Sequence, residues 1–324
     1  ATYIGIKGVE IQTIAGDPAN PIEGQVWYNT TANTLKGYGL QGTGAWGSEA
    51  SMLNQRGDCG GCGLLTAAIV MGGYNQPTTT TLDKTESYDG TSWTEVNALL
   101  NVVGNVKVGQ GTQGAAMKVI TNVSPKKQTE EWDGTCWAAG GSINTYRAYA
   151  GGAGTQTAGM TVAGNTNGTT YTTACEEYNG SSWTTVNACN TGRNYSVNGG
   201  TQAGAIMAGG LPTGTTAAES YDGTTWTNIA DVGSGNAGYG SNNGSSSAFI
   251  DATGRNTSAG QPTVAAEEFN GSTWSAIADV SAKNQGGAGV GTAFAMMKCT
   301  GSYVPTTACE SYEIPLATKT FTSS

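Results

Sequence analysis

Six glutamates recur along the chain at nearly regular intervals: Glu86, Glu130, Glu176, Glu219, Glu267 and Glu310. Each stands two residues before an aromatic side chain, so on a strand the two would share a face. Carboxylates so placed could act as general acids or bases. Catalysis needs one constellation, however, and six copies are too many for one. The reading that fits repetition is structural: each glutamate accepts hydrogen bonds from the backbone, or from a strand-start cation such as Arg56, Arg147 or Arg193. The chain has no histidine, which removes the commonest general acid–base group and metal ligand. Seven cysteines, an odd and scattered set, do not make a disulfide framework. The pair in "CGGC" (59–62) has the spacing of a redox or metal site, yet no second such pair accompanies it. These thiols are expected to be buried or incidental, in a protein made in a reducing compartment. No catalytic residue, metal or cofactor is expected, and the chain is read as a non-enzyme.

The glutamates must sit on something that repeats. The stretch "ESYDGTSWTEV" (86–96) has the form of a β-hairpin, with Asp89-Gly90 at its turn. It returns as "EEWDGTCWAAG", "EEYNGSSWTTV", "ESYDGTTWTNI" and "EEFNGSTWSAI", and as a truncated "ESYE" from Glu310. Its tryptophans, with Trp46 added (Trp46, Trp93, Trp137, Trp183, Trp226 and Trp274), lie 47, 44, 46, 43 and 48 residues apart. A period in the mid-forties with turn signals throughout predicts a four-stranded unit repeated radially, a β-propeller blade. Ahead of each hairpin lies a small apolar run such as "AAIVMGG" (67–73), and ahead of that a glycine-rich strand such as "YAGGAGTQT" (149–157). The glycine-rich strand is placed innermost, where only small residues let backbones converge. The tryptophan strand is then outermost, each indole packing between neighbouring blades. The Asn-Gly-Ser triplets at 179–181 and 270–272 match glycosylation sequons but are read as hairpin turns.

Composition bounds what such a fold can do. Glycine supplies 51 of 324 residues, about twice the usual ~7% share, and charged residues only 11%. Regularly spaced tryptophans argue against disorder. A net charge of −9 disfavours nucleic acid and anionic membrane as partners. No apolar run suits a membrane span, so no membrane insertion is expected, and no signal peptide is visible at the N-terminus.

A Gly-Gly-ended strand followed by an aromatic and then a tryptophan resembles the kelch motif over residues ~44 to 313. Gly72-Gly73, Tyr88 and Trp93 carry it in one blade, Gly209-Gly210, Tyr221 and Trp226 in another. The copy around 114–137 departs, with "VITN" in place of the double glycine. "SYDGTSW" also approaches the sialidase Asp-box, but Gly90 arrives one residue early, and four arginines are too few for that site. The copper oxidases with similar blades need histidine ligands that are missing here. The phrase "GTQTAG…EEYNGSSW" further resembles tandem-repeat virion proteins of marine bacteriophages, and "GDPANPIEGQVWYNTTANTLKGYG" (16–39) resembles a module at the head of phage tail and fibre proteins.

Counting strands gives six blades, the strand at Trp46 closing the last blade beside Tyr312. A seventh blade from 25–48 and "LATKTFTSS" is the alternative. The expected architecture is all-β: an N-terminal attachment or strand-addition segment (1–43), a kelch-like propeller (44–313) and a C-terminal tail (314–324). The loops between second and third strands vary while the opposite turns are nearly uniform, as on a recognition surface. Candidate binding residues there are Tyr74, Asn75, Gln76, Asn167, Tyr171, Arg255, Asn256 and Tyr303. What the resemblance implies is a virion protein displayed on the particle exterior at a tail, fibre or capsid. Residues 1–43 would join other virion proteins, and the loops would meet a host-surface glycan or protein. With no heptad stalk or collagen-like run it would be a head or knob. The rival reading is a bacterial kelch-type interaction scaffold or surface adhesin.

Overall fold

The computed structural model describes residues 11–75, 78, 80–102, 109–119, 127–166, 170–212, 216–233, 241–256, 261–302 and 306–321. The chain divides into two compact units, Trp46–Tyr312, and Ala1–Ala45 with Glu313–Ser324. Every regular element described is a β-strand, and no helix is long and apolar enough to cross a membrane.

The larger unit is built on six four-stranded sheets, which we number as blades one to six. Blade one holds Gly60–Leu64, Ala67–Met71, Thr85–Tyr88 and Trp93–Val96; blade two Gly109–Thr112, Ala115–Val119, Thr129–Trp132 and Trp137–Ala139. Blade three holds Gly151–Gly154, Gly159–Val162, Cys175–Tyr178 and Trp183–Val186; blade four Val197–Thr201, Gly204–Ala208, Ala218–Tyr221 and Trp226–Ile229. Blade five holds Ser241–Ser245, Ala248–Ala252, Ala266–Phe269 and Trp274–Ile277. Blade six holds Ala288–Gly291, Ala295–Cys299 and Cys309–Glu313, and takes Ala45–Glu49 as its fourth strand. Trp46 packs on Tyr312 in that clasp, ring centroids 5.5 Å apart. First strands contact their neighbours all the way round, blade six meeting blade one. The fold is a six-bladed β-propeller.

Glycine is what permits the convergence. A Cβ on Gly109 would lie 2.7 Å from the backbone nitrogen of Gly61 in the next blade, closer than real side chains come. The second strands, by contrast, are almost wholly buried: Ile69, Met71, Met117, Met160, Met207 and Phe249 fill the space between blades.

The smaller unit is one four-stranded sheet. Gln12–Ile14 runs parallel to Val26–Asn29, which pairs antiparallel with Thr34–Leu40, and that strand pairs with Leu316–Phe321. Asp17 ties it together, accepting from Trp27 Nε1 (3.1 Å) and Asn29 Nδ2 (2.7 Å) and meeting Lys36 Nζ (2.8 Å). These bonds, that of Lys36 foremost, hold its carboxyl below the ordinary value. Two expectations are corrected here. Of the segment 314–324 expected as a tail, Leu316–Phe321 is instead a sheet edge in register with Thr34–Leu40 from Leu35↔Phe321 to Leu40↔Leu316. Nor are the described strands of 1–43 left unpaired, since they pair with one another and with that strand. The strands of the seven-bladed alternative do meet, but in a sheet of their own, while Ala45–Glu49 goes to blade six.

Candidate recognition face

The repeated glutamates fasten connections between blades. Glu86 accepts the backbone N–H groups of Leu53 (2.7 Å) and Asn54 (3.1 Å), in the crossover that enters blade one. Glu176 takes Asn144 and Thr145, Glu219 takes Asn190 and Thr191, and Glu130 takes Leu100, in the equivalent places. Glu267 accepts from Gly233, and Glu310 from the backbone and hydroxyl of Ser281.

A buried carboxylate also needs a countercharge. Arg56, Arg147 and Arg193, all fully buried, donate to Glu86, Glu176 and Glu219, and reach backbone carbonyls as well. Blades two and six supply the charge differently. Lys118 lies directly across the sheet from Glu130, and Lys298 interacts electrostatically with Glu310. At this register the arginine blades carry Val70, Thr161 and Met207, and blade five carries Asp251. Burial pulls the Lys298 ammonium below its ordinary value, against the pull of Glu310.

The tryptophans link blades too. Five of the six hairpin indole N–H groups donate to the preceding blade or its exit: Trp137 to Thr85 Oγ1 (3.1 Å), Trp183 to Thr129 Oγ1 (2.9 Å), Trp93 to the Ala50 carbonyl, Trp274 to Ala230 and Trp46 to Ala278. Trp46 and Trp274 stay half-buried, the other four buried. Gln113, Gln156 and Gln202, in the turns between first and second strands, donate back to carbonyls of the previous blade.

First strands line a central channel of about 300 Å³, with Gly61, Gly109, Gly152, Gly199, Gly244 and Gly289 each from a different blade. Among the described residues its lining carries no carboxylate, lysine or arginine, and its ionisable groups are Cys59 and Cys62. Burial pushes the Cys62 thiol up to about 12, so it is neutral at physiological pH. Three residues apart on extended chain, the two thiols of "CGGC" enter different core clusters.

Connections between second and third strands emerge together with the crossovers. Backbone bridges Gly57↔Tyr74, Ala148↔Asn165 and Asn194↔Leu211 tie the loops of blades one, three and four to the crossovers entering those blades, and Thr263↔Asn284 ties that of blade five to the crossover leaving it. Tyr74 and Asn75 pair with Thr81 and Thr80, half-buried, and Arg255 and Asn256 pair with Pro262 and Gln261. Tyr171 is exposed and bridges to Asn165. Gln76, Asn167 and Tyr303 lie outside the described residues. The candidates therefore spread over several blades of one face and do not converge on a point. Two residues on this face were missed from sequence, Tyr149 and Tyr195, which stack 4.4 Å apart. Their signal was an Arg-x-Tyr repeat, Arg147 to Tyr149 and Arg193 to Tyr195.

No protein-family model matches the chain, and no curated protein matches its sequence. Among solved structures, that of YjhT is similar, with a TM-score of 0.64, covering 83% of this chain and 99% of YjhT at 10% identity. At that identity the likeness shows the propeller fold and nothing about activity.

Proposed function

We propose that this chain is a non-enzymatic bacteriophage virion protein, displayed on the particle exterior at a tail, fibre or capsid. Its propeller serves host-surface recognition or decoration. The observation that carries the reading is how the side chains divide. The repeated glutamates, arginines and glutamines are spent on fastening blades, and residues that differ between repeats gather on one loop face. A scaffold held by its repeats and varied at its loops suits binding rather than turnover. The setting is supported by the resemblance of the repeats and of residues 16–39 to virion proteins. The anchor to other virion proteins, first assigned to residues 1–43, takes in the strand Leu316–Phe321 paired to them. Replacing the loops at 165–174 and 255–264 should leave incorporation into particles intact and change adsorption. Unchanged adsorption after replacement of every such loop would leave decoration alone. If the chain were absent from particles, the bacterial scaffold or adhesin would take its place.

A further inference from the structure

We infer that the junction of blades three and four, on the loop face, binds a neutral carbohydrate. The inference rests on the recognition reading and names its ligand class. Tyr149 and Tyr195 stack there at 4.4 Å and 25°, both half-buried. Each has φ of +55°, a left-handed conformation unusual for an aromatic residue. The same turn precedes the first strand in blades one and six, where Asp58 (φ 49°) and Gly286 (φ 72°) occupy it. The fold therefore needs the turn but not the tyrosines. Strained aromatics kept at adjacent positions point to a use outside folding.

A second observation lies beside them. Asn165 and Asn194 are 2% and 5% exposed, and the side-chain oxygen of each lacks a hydrogen-bond partner in the protein. The bond from Gly164 N to Arg193 O (2.7 Å) puts their backbones side by side at this junction. Buried amide oxygens are normally satisfied, so these two call for donors from outside the chain. A sugar supplies both complements: hydroxyl donors for the amides and a C–H face for the tyrosine rings. Tyrosine suits such contact, being rigid, broad and partly polar. A neutral sugar is favoured because the chain carries −9 overall, and the neighbouring cations Arg147 and Arg193 are already engaged by Glu176 and Glu219.

The test is binding of the full chain to an array of neutral oligosaccharides, including maltoheptaose, cellohexaose and mannohexaose, with sialylated and sulfated glycans alongside. Saturable binding to a neutral member is expected, weakened at least tenfold in Tyr149→Gly and Tyr195→Gly. Glycine fits the turn, so both variants should melt no lower than the parent, which separates lost binding from lost folding. Tyr195→Phe, which keeps the stack, should retain most of the affinity. Silence toward every neutral glycan, or binding unmoved by both glycine variants, overturns the inference. Should the array be silent while loop replacement still alters adsorption, recognition stands and its ligand is not a neutral sugar.

Discussion

Cys175 occupies the place where blades one and two carry Thr85 and Thr129, and the consequence falls on Trp226. Trp137 and Trp183 give their indole protons to those threonine hydroxyls, whereas Trp226 Nε1 is buried with no partner. Cys175→Thr should supply the acceptor and stabilise the protein by about 0.5–1.5 kcal/mol, read as a raised melting temperature; a lowered one would contradict the assignment. Arg193→Met should cost about 3–5 kcal/mol by leaving Glu219 buried without its cation. Arg193→Met with Glu219→Gln should cost less than the single change, and chemical denaturation would compare the two. The hairpin turns give a pH signature. Asp89 is held down to about 2 by the Thr91 hydroxyl and by backbone N–H groups, and Asp133 to about 2 chiefly by the N–H groups of Cys136 and Thr135. Folded values below the unfolded ~3.9 mean stability present above about pH 4 and lost as pH falls toward about 2. Asn179 makes the same turn without a charge. Asp89→Asn with Asp133→Asn should therefore lose less melting temperature than the parent between pH 5 and pH 2. At this scale the arginine–glutamate pairs were legible because both partners repeat. Lys118 and Lys298 were not, since each takes the place of an arginine from a different strand.

Between elements, the fastenings are short and numerous. Gln202 donates to the carbonyls of Gly159 (3.0 Å) and Tyr178 (2.8 Å) in the preceding blade. Gln202→Ala leaves two buried acceptors unmet and should cost about 1–3 kcal/mol, measured by denaturant midpoint. The equivalent places in blades one, five and six hold Leu65, Ser246 and Ala293, so the near-uniform turns of the sequence hide two kinds of blade. Trp183 is buried against blade two with two hydrogen bonds, and Trp183→Ala should cost about 3–5 kcal/mol. A melting temperature within a degree or two of the parent would remove the indole from the core. The clasp of Ala45–Glu49 on Cys309–Glu313 was legible by counting, because each strand lacked a partner within its own repeat. The strand Leu316–Phe321 was legible only within the seven-bladed alternative, which brought it to its partner but counted the pair as a blade. Its sequence shares nothing with the blades, and its partner Thr34–Leu40 lies at the other end of the chain.

For the whole molecule, the two units predict where the chain can be cut. Removing residues 1–40 alone would take Thr34–Leu40 away from Leu316–Phe321 and bare a strand with exposed Leu316 and Phe321, which invites association. A fragment of residues 44–313 keeps all six blades and their clasp, and should be a folded monomer by sedimentation. A fragment of 51–324 lacks the closing strand and should aggregate or unfold. The radial plan was legible from glycine, tryptophan and a period in the mid-forties, because a repeat states its packing several times over. The tyrosine pair was hidden because the left-handed turn that holds it is a property of backbone, not of composition. On the proposed function, the propeller alone carries recognition. The deciding measurement lets the 44–313 fragment compete with intact particles for adsorption to host cells. The fragment should block adsorption in a saturable way, and a version with the loops at 165–174 and 255–264 replaced should not. Adsorption unaffected by any concentration of the folded fragment would contradict it.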